Sequence, residues 1–397
     1  LETVMRTVWY SFDGVFGFIV ITVISLIFIF IIFGAVLETT GAGAVLLRIA
    51  ISVTGGMRGG PANAAIAASG VFGTISGSVS ANVVGTGVFT IPMIKERGFK
   101  NSFAGGVEAA ASSGGQFMPP VMGAVAFVMA DVTGIPYLVI IGAALVPALF
   151  YYASLFVAVR VEAARLGIEP IPKEERQKVS RQDWKLSLMF IIPIFVIIGV
   201  LITGRSPAMA GLWATVVGAG LGLMNSEVRK RPKVYIEALA RGGEQCGRIM
   251  VAVAAIGIIV GIMNLTGLGI RFSNMILAFA GEGLFFAMLL VALASIILGM
   301  GLPTIPAYLI IVLIMGEAME KLGVPKILVH LFVLYYGVLS AITPPVAIAA
   351  YAAAPISKSN PMTTALQALK LSFVGFIVPF VFVYNPSLSL VVGFETI

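Results

Sequence analysis

Apolar residues in this chain come in long unbroken runs, separated by short polar stretches rich in Gly, Ser and Pro. The 24 residues from Gly14 to Leu37 carry no charge, which exceeds the roughly 20 that an α-helix needs to cross a bilayer. Runs of this kind predict eight spanning helices, at 14–37, 104–130, 137–160, 186–203, 208–224, 248–266, 327–355 and 364–386. Two further apolar regions, 60–94 and 284–316, are broken in the middle by small residues or proline. Each of these predicts two half-helices that enter and leave on one side, a re-entrant hairpin. The first run is not a signal peptide, since it lacks a basic start and is too long.

Composition agrees. Of 397 residues, 59% are apolar and 11% charged, with a mean hydropathy of +1.05. A soluble core of this size would need far more charged surface. One cysteine, Cys246, excludes an internal disulfide framework and a multi-cysteine metal site. The net charge of +7 is placed in loops rather than in a nucleic-acid patch. Arg48, Arg58, Lys95, Arg97 and Lys100 surround the first broken region, against Glu96. The stretch Arg160–Lys185 holds seven basic and five acidic residues, and Glu227–Arg248 holds six and three. The positive-inside rule puts all three on the cytoplasmic side. That parity holds only if both broken regions are hairpins, and it places both chain ends outside. The chain opens on Leu1 rather than Met, so it reads as a fragment or a trimmed product.

An internal repeat follows. Ser76–Ser78 precedes Pro119–Pro120, as Gly301–Thr304 precedes Pro344–Pro345, with an offset of 226 between the halves. Residues 1–186 form the first repeat, 187–240 a connecting segment with two spans, and 241–397 the second repeat. Five crossings separate the two starting points, so the repeats are inverted. The expected fold class is an all-α integral membrane protein with two inverted repeats, re-entrant hairpins and broken helices, the architecture of secondary transporters.

The stretch GTISGSVSANVVGTG, Gly73–Gly87, is a poor helix interior and a poor lipid contact. At a hairpin tip its hydroxyls, amide and free carbonyls become ligands. In SSGGQFMPP, Ser112–Pro120, the glycines and prolines break the following span and free carbonyls one turn earlier. Such oxygens are hard ligands of the kind that hold Na⁺. One cation site is therefore expected from Ser76, Gly77, Ser78 and Asn82 with Ser112, Gly114 and Gly115. A second is expected from Gly301 and Thr304 with Ser340 and Thr343. The bland alternatives are a helix-packing surface of small residues and simple proline kinks. No carboxylate is clearly available to either cluster. Glu108, the one ionisable residue well inside a span, is the alternative proton site, set against snorkelling towards the interface. His330 reads mainly as a structural hydrogen-bonder, and Arg58 in GGMRGGPAN mainly as a topology charge. No phosphate-binding loop, metal-enzyme cluster or nucleophile–base set is present. An enzyme is not expected, and no cofactor beyond the coupling cation. A channel or non-transport scaffold is the remaining alternative.

The blocks GGPANAAIAASGVFGTISGSVSANVVGTGVFTIPMIKERGF, VEAAASSGGQFMPPVMGAVAFVMAD and HLFVLYYGVLSAITPPVAIAAYAAA resemble the large membrane subunit of tripartite ATP-independent periplasmic (TRAP) transporters, in the flavour of the TAXI subgroup. The resemblance covers most of the chain. It implies an elevator mechanism in the bacterial inner membrane, in which a domain carrying both hairpins moves against a scaffold. It also implies a periplasmic binding protein that delivers an organic anion, and a small membrane subunit, separate or fused ahead of this one. The cation pattern carries over onto Ser76, Gly77, Ser78, Asn82, Gly114, Gly115, Gly301, Thr304 and Thr343. Thr86, Gln116, Pro119, Pro303 and Pro344 are the expected substrate-site positions. Na⁺ is the usual coupling ion of such a family, with H⁺ the alternative here.

Overall fold

The computed structural model describes residues 2–12, 14–172, 179–281 and 283–390. Part of the basic loop, 173–178, and the acidic Glu282 therefore lie outside the described residues. Among the described residues every regular element is a helix.

α1 (Glu2–Tyr10) leads into a continuous run of α2 (Phe18–Thr22), a π-helical turn (Val23–Ile27) and α3 (Phe28–Thr39). α4 (Ala42–Thr54) starts after Gly41, whose φ of 84° turns the chain. α5 (Gly60–Ser76) and α6 (Val79–Glu96) form the first hairpin. α7 (Asn101–Gly114) and α8 (Val125–Thr133) are the halves of a broken helix, followed by the unbroken α9 (Tyr137–Arg165). α10 (Arg181–Ile202), α11 (Pro207–Gly222) and the short α12 (Ser226–Lys230) connect the halves. α13 (Val234–Thr266), α14 (Leu268–Ala280) and the hairpin α15 (Leu284–Gly299) and α16 (Thr304–Lys321) come next. The second broken helix, α17 (Lys326–Leu339) and α18 (Ile348–Ser357), is followed by α19 (Pro361–Leu371) and α20 (Phe373–Tyr384).

Local chemistry sets these ends. Gly77 closes α5 with φ 65°, and the extended Ser78 caps α6 by accepting from the Ala81 N–H at 3.3 Å. Only a residue without a Cβ enters that left-handed turn freely. Ser180 and Asp183 form a reciprocal capping box at the start of α10, and Asn360 accepts from two N–H groups at the start of α19. Pro119–Pro120 and Pro344–Pro345 are cis and sit in the two breaks. Prolines supply no amide donor there, so neither helix continues.

Among the described residues, five helical stretches are long and apolar enough to cross a membrane: Val20–Thr39, Tyr137–Arg165, Arg181–Ile202, Val234–Thr266 and Pro361–Tyr384. The predicted span 208–224 is the shorter helix Pro207–Gly222, and the predicted spans 104–130 and 327–355 are the two broken helices. Long apolar runs alone leave α4 and α14 without an element. Both are 13-residue helices, and α4 buries Val45, Leu47 and Ile51 while Arg48 stays outward. Adding the predicted offset of 226 to the bounds of α4 gives 268–280, the bounds of α14. From α6 onward the bounds match α16 and α17 at 225 instead. That smaller offset also aligns Pro119–Pro120 with Pro344–Pro345.

The helices pack in two groups. α3, α10, α11 and α13 lie together, while the hairpins pack on the broken helices with α9, α19 and α20. At the centre of the second group Phe117, in the first break, stacks on Tyr335 of α17 with centroids 4.0 Å apart, and meets Tyr151 of α9 edge-on. The Tyr151 and Tyr152 hydroxyls donate at 2.8 Å to the carbonyls of Ala110 and Ala111, on the turn before the break.

Candidate functional site

The first hairpin meets the first broken helix backbone to backbone. A methyl group on Gly115 would lie 2.5 Å from the Cα of Gly73, and one on Gly73 would lie 2.8 Å from the Cα of Gly115. Close approach of this kind requires glycine on both sides. The tip completes the junction, since the Gly77 Cα faces the carbonyl of Gly123, just past the break. Gly114, predicted at the cation site, instead makes room for Tyr151 and Tyr152.

Behind the junction Glu108 is fully buried. Its carboxylate accepts from Ser69 of α5 and Thr86 of α6 at 2.5 Å, from Thr90 of α6, and from Ser112 of its own helix at 3.2 Å. Hydroxyls at 2.5 Å are in the range of charge-assisted hydrogen bonds. Among the described residues no cation pairs with Glu108. Four hydroxyls therefore solvate it, and in doing so they tie three helices together.

The same network orients two amides. Asn82 donates at 2.9 Å to the carbonyl of Ser69, and Gln116 donates at 3.2 Å to the carbonyl of Gly73. Both side chains are fully buried, and neither Asn82 Oδ1 nor Gln116 Oε1 has a donor. Buried acceptors without partners are costly. A cation is one species that satisfies them. Asn82 Oδ1 and Gln116 Oε1 are the free oxygens that could turn to such an ion, while the Gly73 carbonyl already accepts from the Gln116 amide. Among the described residues no group of three or more His, Cys, Asp or Glu gathers for a transition metal.

The remaining predicted residues are distributed as follows. Ser76 and Ser78 stand at the tip, with the Ser76 hydroxyl 3.3 Å from the Ser78 carbonyl. Ser112 and Thr86 belong to the Glu108 cage rather than to the tip. Pro119 lines an apolar cleft with Ile66, Gly70 and Tyr152, apart from the tip. In the second half Gly299 packs on Ser340, whose hydroxyl donates to Gly337 of its own helix at 2.7 Å. Thr343 likewise donates to Leu339 at 2.8 Å. Thr304 is buried at the start of α16, while Gly301 is exposed beside Val346.

A cleft of about 520 Å³ joins the two tips to the long α13. Gly77, Ser78, Ser80 and Pro303 line one side, with Arg241, Gln245 and Arg248 on the other. Gln245 donates to the Ser76 carbonyl at 3.4 Å, and Arg248 pairs with Glu244 at 2.6 Å. Sequence reasoning missed Ser69, Thr90 and this arginine face. The i, i+4 series Asn82–Thr86–Thr90 was a usable signal, because it aligns three polar groups on one face of α6. Nothing local in the sequence points Arg241 towards a hairpin some 160 residues earlier.

These features define an all-helical integral membrane protein whose polar chemistry is gathered at helix breaks. Residues 8–397 match the family model described as the tripartite ATP-independent periplasmic transporter, DctM component. The chain belongs to that family. It is 28% identical over 217 residues to a C4-dicarboxylate TRAP transporter large permease protein of Pseudomonas aeruginosa, covering 53% of this chain and 49% of that one. It is 26% identical over 194 residues to a sialic acid TRAP transporter large permease protein of Vibrio cholerae, covering 48% and 45%. It is also 29% identical over 191 residues to an ectoine/5-hydroxyectoine permease protein of Ruegeria pomeroyi, covering 47% and 44%. The chain thus spans about half the length of these curated relatives.

Proposed function

We propose that this chain is the large membrane subunit of a secondary active transporter that imports small organic acids, driven by a cation gradient with Na⁺ as the coupling ion. One observation carries the proposal: the buried, donor-less oxygens of Asn82 and Gln116 where the first hairpin meets the first break. Na⁺ takes neutral oxygens of this kind and releases them readily. The tip cleft, where Arg241 and two half-helix ends stand beside the Arg248–Glu244 pair, suits an anionic cargo. The substrates for which two relatives are named, C4-dicarboxylate and sialic acid, support that class. A periplasmic binding protein delivers the cargo, and a small membrane subunit, separate or fused as in the TAXI subgroup, supports the chain in the bacterial inner membrane. The matched helix bounds of the two halves support inverted repeats and an elevator movement of the hairpin group against α3, α10, α11 and α13.

The cage around Glu108 favours a second reading, in which a proton is the coupling ion. The two separate in proteoliposomes holding the full-length subunits and the binding protein. At fixed pH, uptake of a dicarboxylate should rise and saturate with external Na⁺. Uptake that ignores Na⁺ but is lost with a protonophore and in Glu108→Gln would replace Na⁺ with H⁺. Uptake of neutral sugars but not acids would overturn the anionic cargo.

A further inference from the structure

A second polar cavity, of about 560 Å³, lies away from the hairpin tips. Arg58, Asn63, Phe156, Val157 and Arg160 are among its lining residues. The motif GGMRGGPAN places Arg58 just before α5 and Asn63 in its first turn. Gly59, at φ 78°, folds the segment against α9, where a side chain would meet Val159 and Ala163. Arg160 lies on the exposed face of α9. Asn63 is 2% exposed; its amide donates to the Arg58 carbonyl at 3.0 Å, and its Oδ1 has no partner. One wall is apolar, formed by Phe156 and the 61%-exposed Val157.

We infer that this cavity binds a phosphate group, and that a phospholipid headgroup is its source. Two guanidinium groups match phosphate oxygens in fork geometry. The first turn of α5 adds the positive end of a helix. The buried Asn63 oxygen needs a donor on the ligand, which a glycerol or ethanolamine headgroup carries and a carboxylate does not. The apolar wall of α9 takes the start of an acyl chain. Arg58, Arg160 and the basic loop after α9 fall on the side that the positive-inside rule makes cytoplasmic, where anionic headgroups gather. Glu169, 3.4 Å from Arg58, is exposed, and its ion pair competes weakly. The inference does not depend on the transport reading.

The test uses the full-length protein, delipidated in detergent, with thermal unfolding followed against added phosphatidylglycerol, phosphatidylcholine, diacylglycerol or inorganic phosphate. Phosphatidylglycerol should raise the melting temperature, phosphatidylcholine less, and diacylglycerol not at all. Arg160→Gln, a change on an exposed helix face, should raise the half-saturating phosphatidylglycerol concentration about tenfold, the effect of losing one charge-assisted contact. Arg58→Gln should do the same, while Arg165→Gln outside the cavity should do nothing. Stabilisation by inorganic phosphate alone, lost in Arg160→Gln, keeps the phosphate site and makes the free anion its ligand. Equal responses of wild type and Arg160→Gln, or equal shifts with diacylglycerol, overturn the site.

Discussion

Gly73 meets Gly115 at the first hairpin junction, and Gly299 meets Ser340 at the second. Extended backbone at Met118 recurs at Thr343, and positive φ at Met122 recurs at Ala347, each 225 residues on. The side chains around these junctions do not recur. The positions of Asn82, Thr86, Glu108 and Gln116 correspond, 225 on, to Ala307, Ile311, Val333 and Ala341. All four of the latter are buried apolar residues. One backbone design is thus used twice, once around a buried carboxylate with donor-less amides and once around a dry core. The architecture depends on glycine contacts and proline breaks, and the buried carboxylate cage belongs to one half.

The largest test of that contrast is Glu108→Leu. Ser112 loses its acceptor at about 1–3 kcal/mol, while Ser69, Thr86 and Thr90 lose the carboxylate and keep only weaker acceptors within the hairpin, so the protein should melt well below wild type. Val333→Leu in the dry half should stay folded at a cost of about 1–3 kcal/mol. Equal melting temperatures for the two would break the comparison. Next come the glycines. Gly115→Ala should cost about 1–3 kcal/mol or more by overpacking, with no relief available because Gly73 has no side chain to shrink. Gly299→Ala meets a side chain, so Ser340→Gly should restore its melting temperature. Failure of that rescue would show that the second junction is also limited by backbone.

A smaller effect separates ion binding from folding. Asn82→Ala and Gln116→Ala each remove a donor-less acceptor and should raise the half-saturating Na⁺ for uptake roughly tenfold, while the buried hydrogen bond lost with each costs about 1 kcal/mol in melting. Ser340→Ala and Thr343→Ala should shift it by less than about threefold, because those hydroxyls already bond within their own helix. The reverse order would move the ion to the second half. The smallest effect belongs to Arg48, whose matched position is Asn274. Arg48→Gln breaks an exposed 2.9 Å pair with Asp183 and should cost at most about 1 kcal/mol in unfolding experiments.

The class and the breaks are legible in the amino-acid sequence alone. Apolar runs report a lipid solvent directly, and Gly77, Pro119–Pro120 and Pro344–Pro345 act on the backbone wherever they stand. The sequence also exposed the paired breaks, since the Pro-Pro pairs stand out without matched side chains. Short α4 and α14 escaped because 13 residues are too few to stand out as a span. What the polar residues do follows from how the helices pack. Glu108, Ser69, Thr86 and Thr90 come from three helices and meet because Gly73 and Gly115 let two backbones touch. Ser340 and Thr343, which look in sequence like ligands, turn back onto their own helix. A hydroxyl in the sequence carries no record of which carbonyl or carboxylate will lie beside it. That depends on how closely the helices approach, which packing sets.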